Sequence, residues 1–452
     1  MKETSDSAMQ RVLLHIGIDD TDSPQMGCTT YVGSLLVERL TKLGVYFVDY
    51  PNIVRLNPNI PWKTRGNGAV CLRFLADGNL LDKIQDIALE ILDEQSDLNN
   101  RGTDPGIVFY QGEVAPEISN FARRAIQGLV TFREALRLIK VAHAEAVGYN
   151  KCRGIIGALA AIGELLRGDH TFELIAYRHP KNHGTPRKIN YMSVIRMDRL
   201  TKPLTYNNID PETKRILITP RGPDPVLYGI RGETPEIVWK ASQLIEAEEE
   251  IERWTIFRTN QGTDMHLRRV RKLSLIRPYE PVIARGVVAN YPQTIPGGHV
   301  IFSLQDSSGE VDCAAYEPTG SFREIIRQLA PKDVVRVYGG VRPASPAHSR
   351  TINLEKIEIL SLTRTTKLVN PSCPTCGKRL KSAGSGKGFR CEYCGFKTKN
   401  TMKNIVEIPR GIKTGLYVPP PRAQRHLTRP LSRHKLKQRE PPTKLFEPWH
   451  WP

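Results

Sequence analysis

Three carboxylates within four residues, Asp19, Asp20 and Asp22, follow the apolar run Val12–Ile18. The run has the length and residue types of a strand, and the acids with Ser23 and Pro24 make a polar turn at its end. Clustered carboxylates repel one another unless a divalent cation shares them, so the turn suits Mg2+. Residues 27–30, Gly-Cys-Thr-Thr, then lead into Tyr31–Leu43, whose apolar spacing is helical. Thr29 or Thr30 at the start of that helix offers a cap, free amides and a field that favours phosphate. Acids for magnesium beside a helix start for phosphate form a kinase or ligase arrangement. The alternative is a solvated turn held by Asx hydrogen bonds.

A second set is more specific. Cys373 and Cys376 form one C-x2-C pair, Cys391 and Cys394 another, and fourteen residues separate the pairs. Gly377 and Gly395 follow the pairs, as in two knuckles that bring four thiolates to one tetrahedral Zn2+. Four protein ligands close such a site, which makes it structural. Lys378, Arg379, Lys381, Lys387 and Arg390 surround it and suit nucleic acid.

Loops carry the remaining candidates. Residues 57–67, NPNIPWKTRGN, bring Lys63, Arg65 and Asn67 to a glycine-bracketed turn before the apolar stretch Ala69–Phe74. Asp104 lies in the polar turn Arg101–Gly106, and Asp264 ends the turn Thr259–Asp264. Lys151–Ile155 opens a helix running to about Leu166. Tyr177–Lys188 is a basic loop read as solvated or phosphate-contacting, with His179, His183 and Arg187.

These loops need elements to hold them. Gly44–Leu56 reads as a strand region, Leu80–Glu94 as a helix, Ile107–Tyr110 as a strand and Ile118–Lys140 as one helix continuing toward Val147. Beyond a boundary near Met197–Asp210, Thr213–Thr219 reads as a strand, Thr234–Glu250 as a helix and Trp254–Arg258 as a strand. Strands alternating with helices indicate α/β layers. Val282–Asn290, His299–Gln305, Val311–Ala315, Val334–Gly340 and Thr351–Leu360 are five strands, with a short helix at Ser321–Leu329 between the third and fourth. That is the pattern of an OB-fold barrel, a common single-strand binder.

Composition narrows the class. The chain has 452 residues, 40% hydrophobic and 25% charged, enough for two to four domains. No run reaches transmembrane length and residues 1–11 are polar, so no membrane partner or export is expected. Scattered Cys28, Cys71, Cys152 and Cys313 fit a reducing cytoplasm. The net charge of +18 calls for a polyanionic partner, and from Phe396 onward 13 Lys/Arg stand against 3 Asp/Glu. Such a tail suits RNA phosphates.

Taken together, IGIDDTDS, GCTTY, RLNPNIPWKTRGNGA, GTDPG, CRGIIGALAAIG, GPDPVLYGIRG and FRTNQGTD resemble the archaeal isoleucine tRNA 2-agmatinylcytidine synthetases, over about Val12–Lys397. The resemblance implies an α/β multidomain protein: a kinase-like catalytic α/β domain and a ferredoxin-like domain, followed by an OB-fold β barrel and a zinc ribbon. The corresponding segments are 1–197, 198–275, 276–365 and 366–400, with a basic tail at 401–452. It implies ATP-dependent ligation of agmatine to C2 of the wobble cytidine of isoleucine tRNA with a CAU anticodon, giving AMP and diphosphate. The family's acids fall on Asp19, Asp20 and Asp22 as Mg2+ holders. Its phosphoryl-accepting threonine falls on Thr29, although this chain reads QMGCTTY where family members read GMCTTY. Lys63, Arg65 and Asn67 are then expected at the ATP phosphates or base, and Asp104 or Asp264 at the agmatine guanidinium. The expected partners are ATP, agmatine and the tRNA, gripped at its anticodon loop and acceptor stem, with no obligate protein partner. Two rivals remain from the residues themselves. One is a non-catalytic single-strand binder. The other is a different ATP-using enzyme, although no K-x-D-G or GxxxxGK[ST] motif is present.

Overall fold

The computed structural model describes residues 11–64, 66–346, 348–436 and 440–452, and statements of number or absence refer to these. Its first half is built on nine strands: β1 (Arg11–Asp19), β2 (Tyr46–Phe47), β3 (Asn52–Arg55), β4 (Gly68–Asp77), β5 (Gly106–Gln111), β6 (Glu145–Gly148), β7 (Thr171–Arg178), β8 (Val226–Gly232) and β9 (Ile251–Thr259). Seven helices cover them: α1 (Thr29–Leu43), α2 (Leu81–Gln95), α3 (Pro116–Gln127), α4 (Phe132–Val141), α5 (Gly154–Gly163), α6 (Tyr191–Thr201) and α7 (Pro235–Ser242). The strands form one sheet in the order β6-β5-β1-β4-β3-β9-β7-β8, with β2 beside β4. Its two halves meet where β3 pairs in parallel with β9, Asn52 opposite Arg258 and Ile53 opposite Thr259. The Asn260 amide extends that seam by bonding both the N–H and the carbonyl of Arg55.

Alternation on β1 sends Leu14, Ile16 and Ile18 into the core beneath α1 and α2. His15, Gly17 and Asp19 face α5, whose sequence GIIGALAAIG is apolar all round and buried except at Ile156. A Cβ at Gly17 would overlap the Ala158 carbonyl, so glycine there lets the helix lie directly on the strand.

Several elements differ from expectation. The stretch 118–147 is two helices, α4 opening with a Thr131–Glu134 capping box, and then strand β6. Residues 213–219 hold only an isolated bridge, Ile209 to Ile216, and α7 stops at Ser242. The division at 197/198 cuts through α6 and separates β7 from its partners β8 and β9. Periodicity shows an element's type, whereas strand partners fix the domain limits.

The barrel consists of β10 (Arg268–Arg269), β11 (Pro281–Val288), β12 (Gln293–Ile295), β13 (His299–Asp306), β14 (Gly309–Ala315), β15 (Val334–Arg342) and β16 (Thr351–Ser361). Pairing of β11 with both β13 and β15, and parallel pairing of β14 with β16, close it as an OB-fold. Helix α8 (Phe322–Arg327) sits between its third and fourth long strands. β17 (Thr366–Val369) and β21 (Asn404–Glu407) pair as a stalk enclosing the ribbon strands β18 (Lys381–Ser382), β19 (Phe389–Arg390) and β20 (Lys397–Thr398).

Residues 401–452 are not a free basic tail. β22 (Gly415–Tyr417) joins the barrel at β16, and β23 (His450–Trp451) joins the large sheet at β9. Between them Arg422 pairs with Asp210 and Glu212, Arg425 with Glu355, and Arg433 with Asp169 and Glu233. Trp449 is buried beside Phe47 and Tyr50. Those three arginines, of the 13 Lys/Arg from Phe396 onward, are therefore engaged inside the protein. The ribbon's Lys378, Arg379 and Lys387 stay exposed.

Candidate active site

A cleft of about 450 Å³ opens where the sheet's two halves meet. Asp19, Asp20, Asp22, Thr29, Lys63 and Asn67 all line it, so the β1 turn, the start of α1 and the loop before β4 do converge. Asp19 lies over the first turn of α5, where a Cβ at Gly157 would overlap its Oδ2. Helix starts favour anions, but burial, and next the adjacent Asp20, push the Asp19 carboxyl well above the usual carboxylate range.

Asp20 is the hub of the turn. Its backbone is left-handed, with φ 59°. Oδ1 accepts from the Thr64 hydroxyl at 3.0 Å; Oδ2 accepts from Arg153 Nη2 at 2.9 Å and from the Asp104 N–H at 3.3 Å. Gly27, with φ 80°, turns the chain so tightly that a Cβ there would press on the Thr21 carbonyl. That turn brings the Thr21 and Thr29 hydroxyls to 3.0 Å. The cap of α1 is Cys28 with no side-chain capping bond, so Thr29 and Thr30 are its first helical residues. Burial pushes the Cys28 thiol up, which makes it a poor nucleophile.

Other expectations shift. Asp104 does not line the cleft; its Oδ1 accepts from the Lys151 N–H, and its Oδ2 lies 3.5 Å from Arg153. Asp264 pairs with Lys356 of the barrel and accepts from the Arg429 N–H, which leaves it no part in binding an amine in the cleft. Asn67 donates its amide to the Asn57 carbonyl at 2.7 Å, so it shapes the loop. Arg65 falls outside the described residues. Arg187 binds the 220–226 loop and Asp224, and His183 the Arg178 carbonyl, so these two side chains are structural, while Lys181, Gly184, Thr185, Pro186 and Lys188 are exposed. Lys63 keeps its place; burial, then Arg425, pulls its ammonium down from the ordinary lysine range.

Sequence reading missed Arg55, Glu173, Asp224, Arg231 and His426, which line the same cleft. They come from strands and loops as distant in sequence as β3 and the segment after β22. No local pattern unites them.

Among the described residues, the four cysteines are the only group of three or more His, Cys, Asp or Glu whose ligand atoms all lie within 4.8 Å of one another; Asp19, Asp20 and Asp22, expected to share Mg2+, do not converge in this way. Cys373 and Cys394 sulfurs lie 3.5 Å apart, and those of Cys376 and Cys391 3.4 Å. These approach the roughly 3.8 Å edge of a tetrahedron with Zn–S bonds of about 2.3 Å. The set fits a closed structural zinc.

Four family models match the chain: the TiaS TCKD domain over residues 15–81, the TiaS FLD domain over 152–266, an OB-fold nucleic acid binding domain over 282–360 and the TiaS C-terminal zinc ribbon domain over 370–412. The second bounds the unit that β7, β8 and β9 form. The isoleucine tRNA 2-agmatinylcytidine synthetase TiaS of Methanosarcina mazei is 43% identical over 428 residues, covering 93% of this chain and 97% of that protein. A crystal structure of TiaS in complex with an isoleucine tRNA and ATP is similar with a TM-score of 0.84 and 40% identity, over 95% of this chain and 99% of that one. The complex of TiaS with that tRNA, AMPCPP and agmatine matches with a TM-score of 0.83 and 38% identity, over the same shares. On identity that runs nearly the whole length of both chains, this chain belongs to the isoleucine tRNA 2-agmatinylcytidine synthetase family.

Proposed function

We propose that this protein uses ATP to join agmatine to C2 of the wobble cytidine of the isoleucine tRNA with a CAU anticodon, with AMP and diphosphate as products. The observation that carries the reading is one cleft lined by the β1 acids, Thr29 and Lys63, in a chain similar end to end to proteins crystallised with an isoleucine tRNA, ATP or its analogue, and agmatine.

The chemistry asks for such a cleft. The C2 oxygen of cytosine is amide-like and leaves poorly. Transfer of the adenylyl or the diphosphoryl group of ATP to that oxygen, with diphosphate or AMP released, makes it a leaving group; the amine nitrogen then bonds to C2 and loses a proton, and the C2–O bond breaks with the oxygen departing on AMP or diphosphate. Lys63 is suited to the charge that develops on phosphate. Thr29, in the first turn of α1 at the cleft wall, has the hydroxyl that fits a phosphoryl acceptor. Asp19 and Asp22 have the hard oxygen donors that fit Mg2+, which when bound supplies charge neutralisation on the ATP phosphates. Asp20, whose oxygens already hold Arg153 and Thr64, orients the turn.

Asp104 and Asp264 being turned elsewhere, the carboxylate for agmatine's guanidinium is Asp224, which lines the cleft while its Oδ1 holds Arg187. Apolar Leu217, Ile218 and Val226 stand beside it for the agmatine methylenes. Trp62, 54% exposed at the cleft, lies 6.2 Å from the Tyr279 ring and offers a stacking surface to an extruded base.

The test supplies labelled agmatine, magnesium-ATP and the unmodified tRNA to the protein and locates label by mass spectrometry. Label on the wobble cytidine is expected. Tight tRNA binding with no label would favour the single-strand binder.

A further inference from the structure

The cleft that holds the acids also gathers cations that have no part in the steps above. Arg55 ends β3 directly across from Gly68 of β4. Its guanidinium lies over the glycines of the 66–68 turn: a Cβ on Gly66 or Gly68 would come within 2.7 Å of Nη1. The two glycines that bracket Asn67 thus make room for Arg55. Its Nε is buried without a hydrogen-bond partner, and among the described residues its side chain has no ion pair. Arg231, on β8, gives Nε to Glu173 at 3.0 Å, while its Nη2 lies 3.0 Å from His426 Nδ1. His426 arrives from the segment that follows the barrel. The same Nδ1 is 3.0 Å from Gln261 Oε1, and its Nε2 faces Gly66.

Two guanidiniums and an imidazole thus stand together, and the one carboxylate they hydrogen-bond, Glu173, also accepts from the Gln261 amide. Like charges so grouped are unfavourable unless an anion joins them. The imbalance shows on His426, which is held well below its ordinary range, by Arg55 first and then by burial and Arg231. Neutral, it separates the arginines without adding charge. Guanidinium forks match the paired oxygens of phosphate.

We propose that Arg55 and Arg231, spaced by His426, form an anion site for a phosphate group of the nucleotide or of the RNA, in the same cleft as the acids. This rests on the ligase reading above. It makes His426 a positioning residue, so a side chain beyond the barrel completes the active cleft.

The test titrates the full-length protein calorimetrically, first with inorganic diphosphate without metal, then with an anticodon stem-loop RNA. Arg55→Gln is expected to weaken one of the two by about tenfold or more, the scale of a lost charge-assisted hydrogen bond. Arg55→Lys retains part of that affinity, and His426→Gln loses about threefold to tenfold by the same reasoning. A loss confined to diphosphate assigns the site to the nucleotide; one confined to the stem-loop assigns it to RNA phosphate. Unchanged affinity for both in Arg55→Gln overturns the site. Should that variant fail to fold, unchanged affinity for both in Arg55→Lys and His426→Gln overturns it. Diphosphate binding needs no agmatine transfer, so failure of the ligase reading would show separately.

Discussion

Asp20 and Asp19 are neighbours with different tasks. Asp20 is saturated by Thr64, Arg153 and the Asp104 N–H. Asp20→Asn leaves Arg153 without its nearest charge. Agmatine transfer is expected to fall at least a hundredfold while tRNA affinity stays within about twofold, since the barrel and ribbon are untouched. A full-rate variant would remove the turn from the reaction. Thr29→Ala should abolish phosphoryl acceptance at that position, and Thr29→Ser should restore it, as read by phosphopeptide mapping after incubation with ATP. His15 gives a pH signature. Burial, then Arg73, lowers its pKa from 6.5 to about 4. The unfolded chain binds the proton first as pH falls, so stability present above about pH 6.5 is lost progressively down to pH 4, on the order of 3 kcal/mol. Urea titrations of wild type and His15→Asn at pH 7 and 5 should show the smaller pH dependence in the variant. At this scale the sequence was legible where chemistry is local. Cys373, Cys376, Cys391 and Cys394 converge because two knuckles specify their own geometry. Asp104 and Asp264 misled because a carboxylate in a polar turn looks the same whether it faces substrate, a backbone N–H or a lysine of another domain.

The element that decides the site is α5. Its glycines let it lie on β1 and bring its first turn beneath Asp19. Gly157→Ala would drive a methyl into that carboxylate. A destabilisation of about 1–3 kcal/mol is expected, with a larger relative loss of activity, measured by thermal unfolding beside the transfer assay. An unchanged rate would show that Asp19 is free to move. The ribbon is a separate element on the β17–β21 stalk, with a small core of Cys373, Leu380, Phe389 and Cys391. A chelator should therefore melt the ribbon and spare the barrel, seen as loss of protection in hydrogen exchange over residues 366–407 alone. Strands and helices of β1, α1, α2 and the barrel were readable from period. The break after Gly128 is not visible in period but is marked locally by the Thr131–Glu134 capping box, whereas nothing in the period shows that α7 stops at Ser242.

For the whole molecule, the segment after the ribbon is a tie between barrel and sheet. Arg433 is buried, forked onto Asp169 and Glu233. Arg433→Met leaves the buried Glu233 unpaired and Asp169 with only Arg429, 3.6 Å away, and is expected to cost about 3–5 kcal/mol. Removing residues 408–452 should therefore unfold the cleft region as well as alter tRNA binding, which circular dichroism and near-ultraviolet tryptophan signals distinguish. Sequence reading took this segment as a loose RNA-binding tail because charge counts carry no information on which arginines find acids within their own chain.

That closure sets an order in time. The Tyr50 hydroxyl accepts from the Phe446 N–H, 396 residues further on, and Trp449 fills the space between Phe47 and Tyr50. At roughly 5–20 residues per second of synthesis, the first core waits about 20–80 s for its last side chain. Late in that interval the barrel and the cationic ribbon are already synthesised, while the cleft still lacks His426. RNA-facing surface is thus made before the cleft is complete, and β9 gains its neighbour β23 only after the barrel and ribbon have been synthesised.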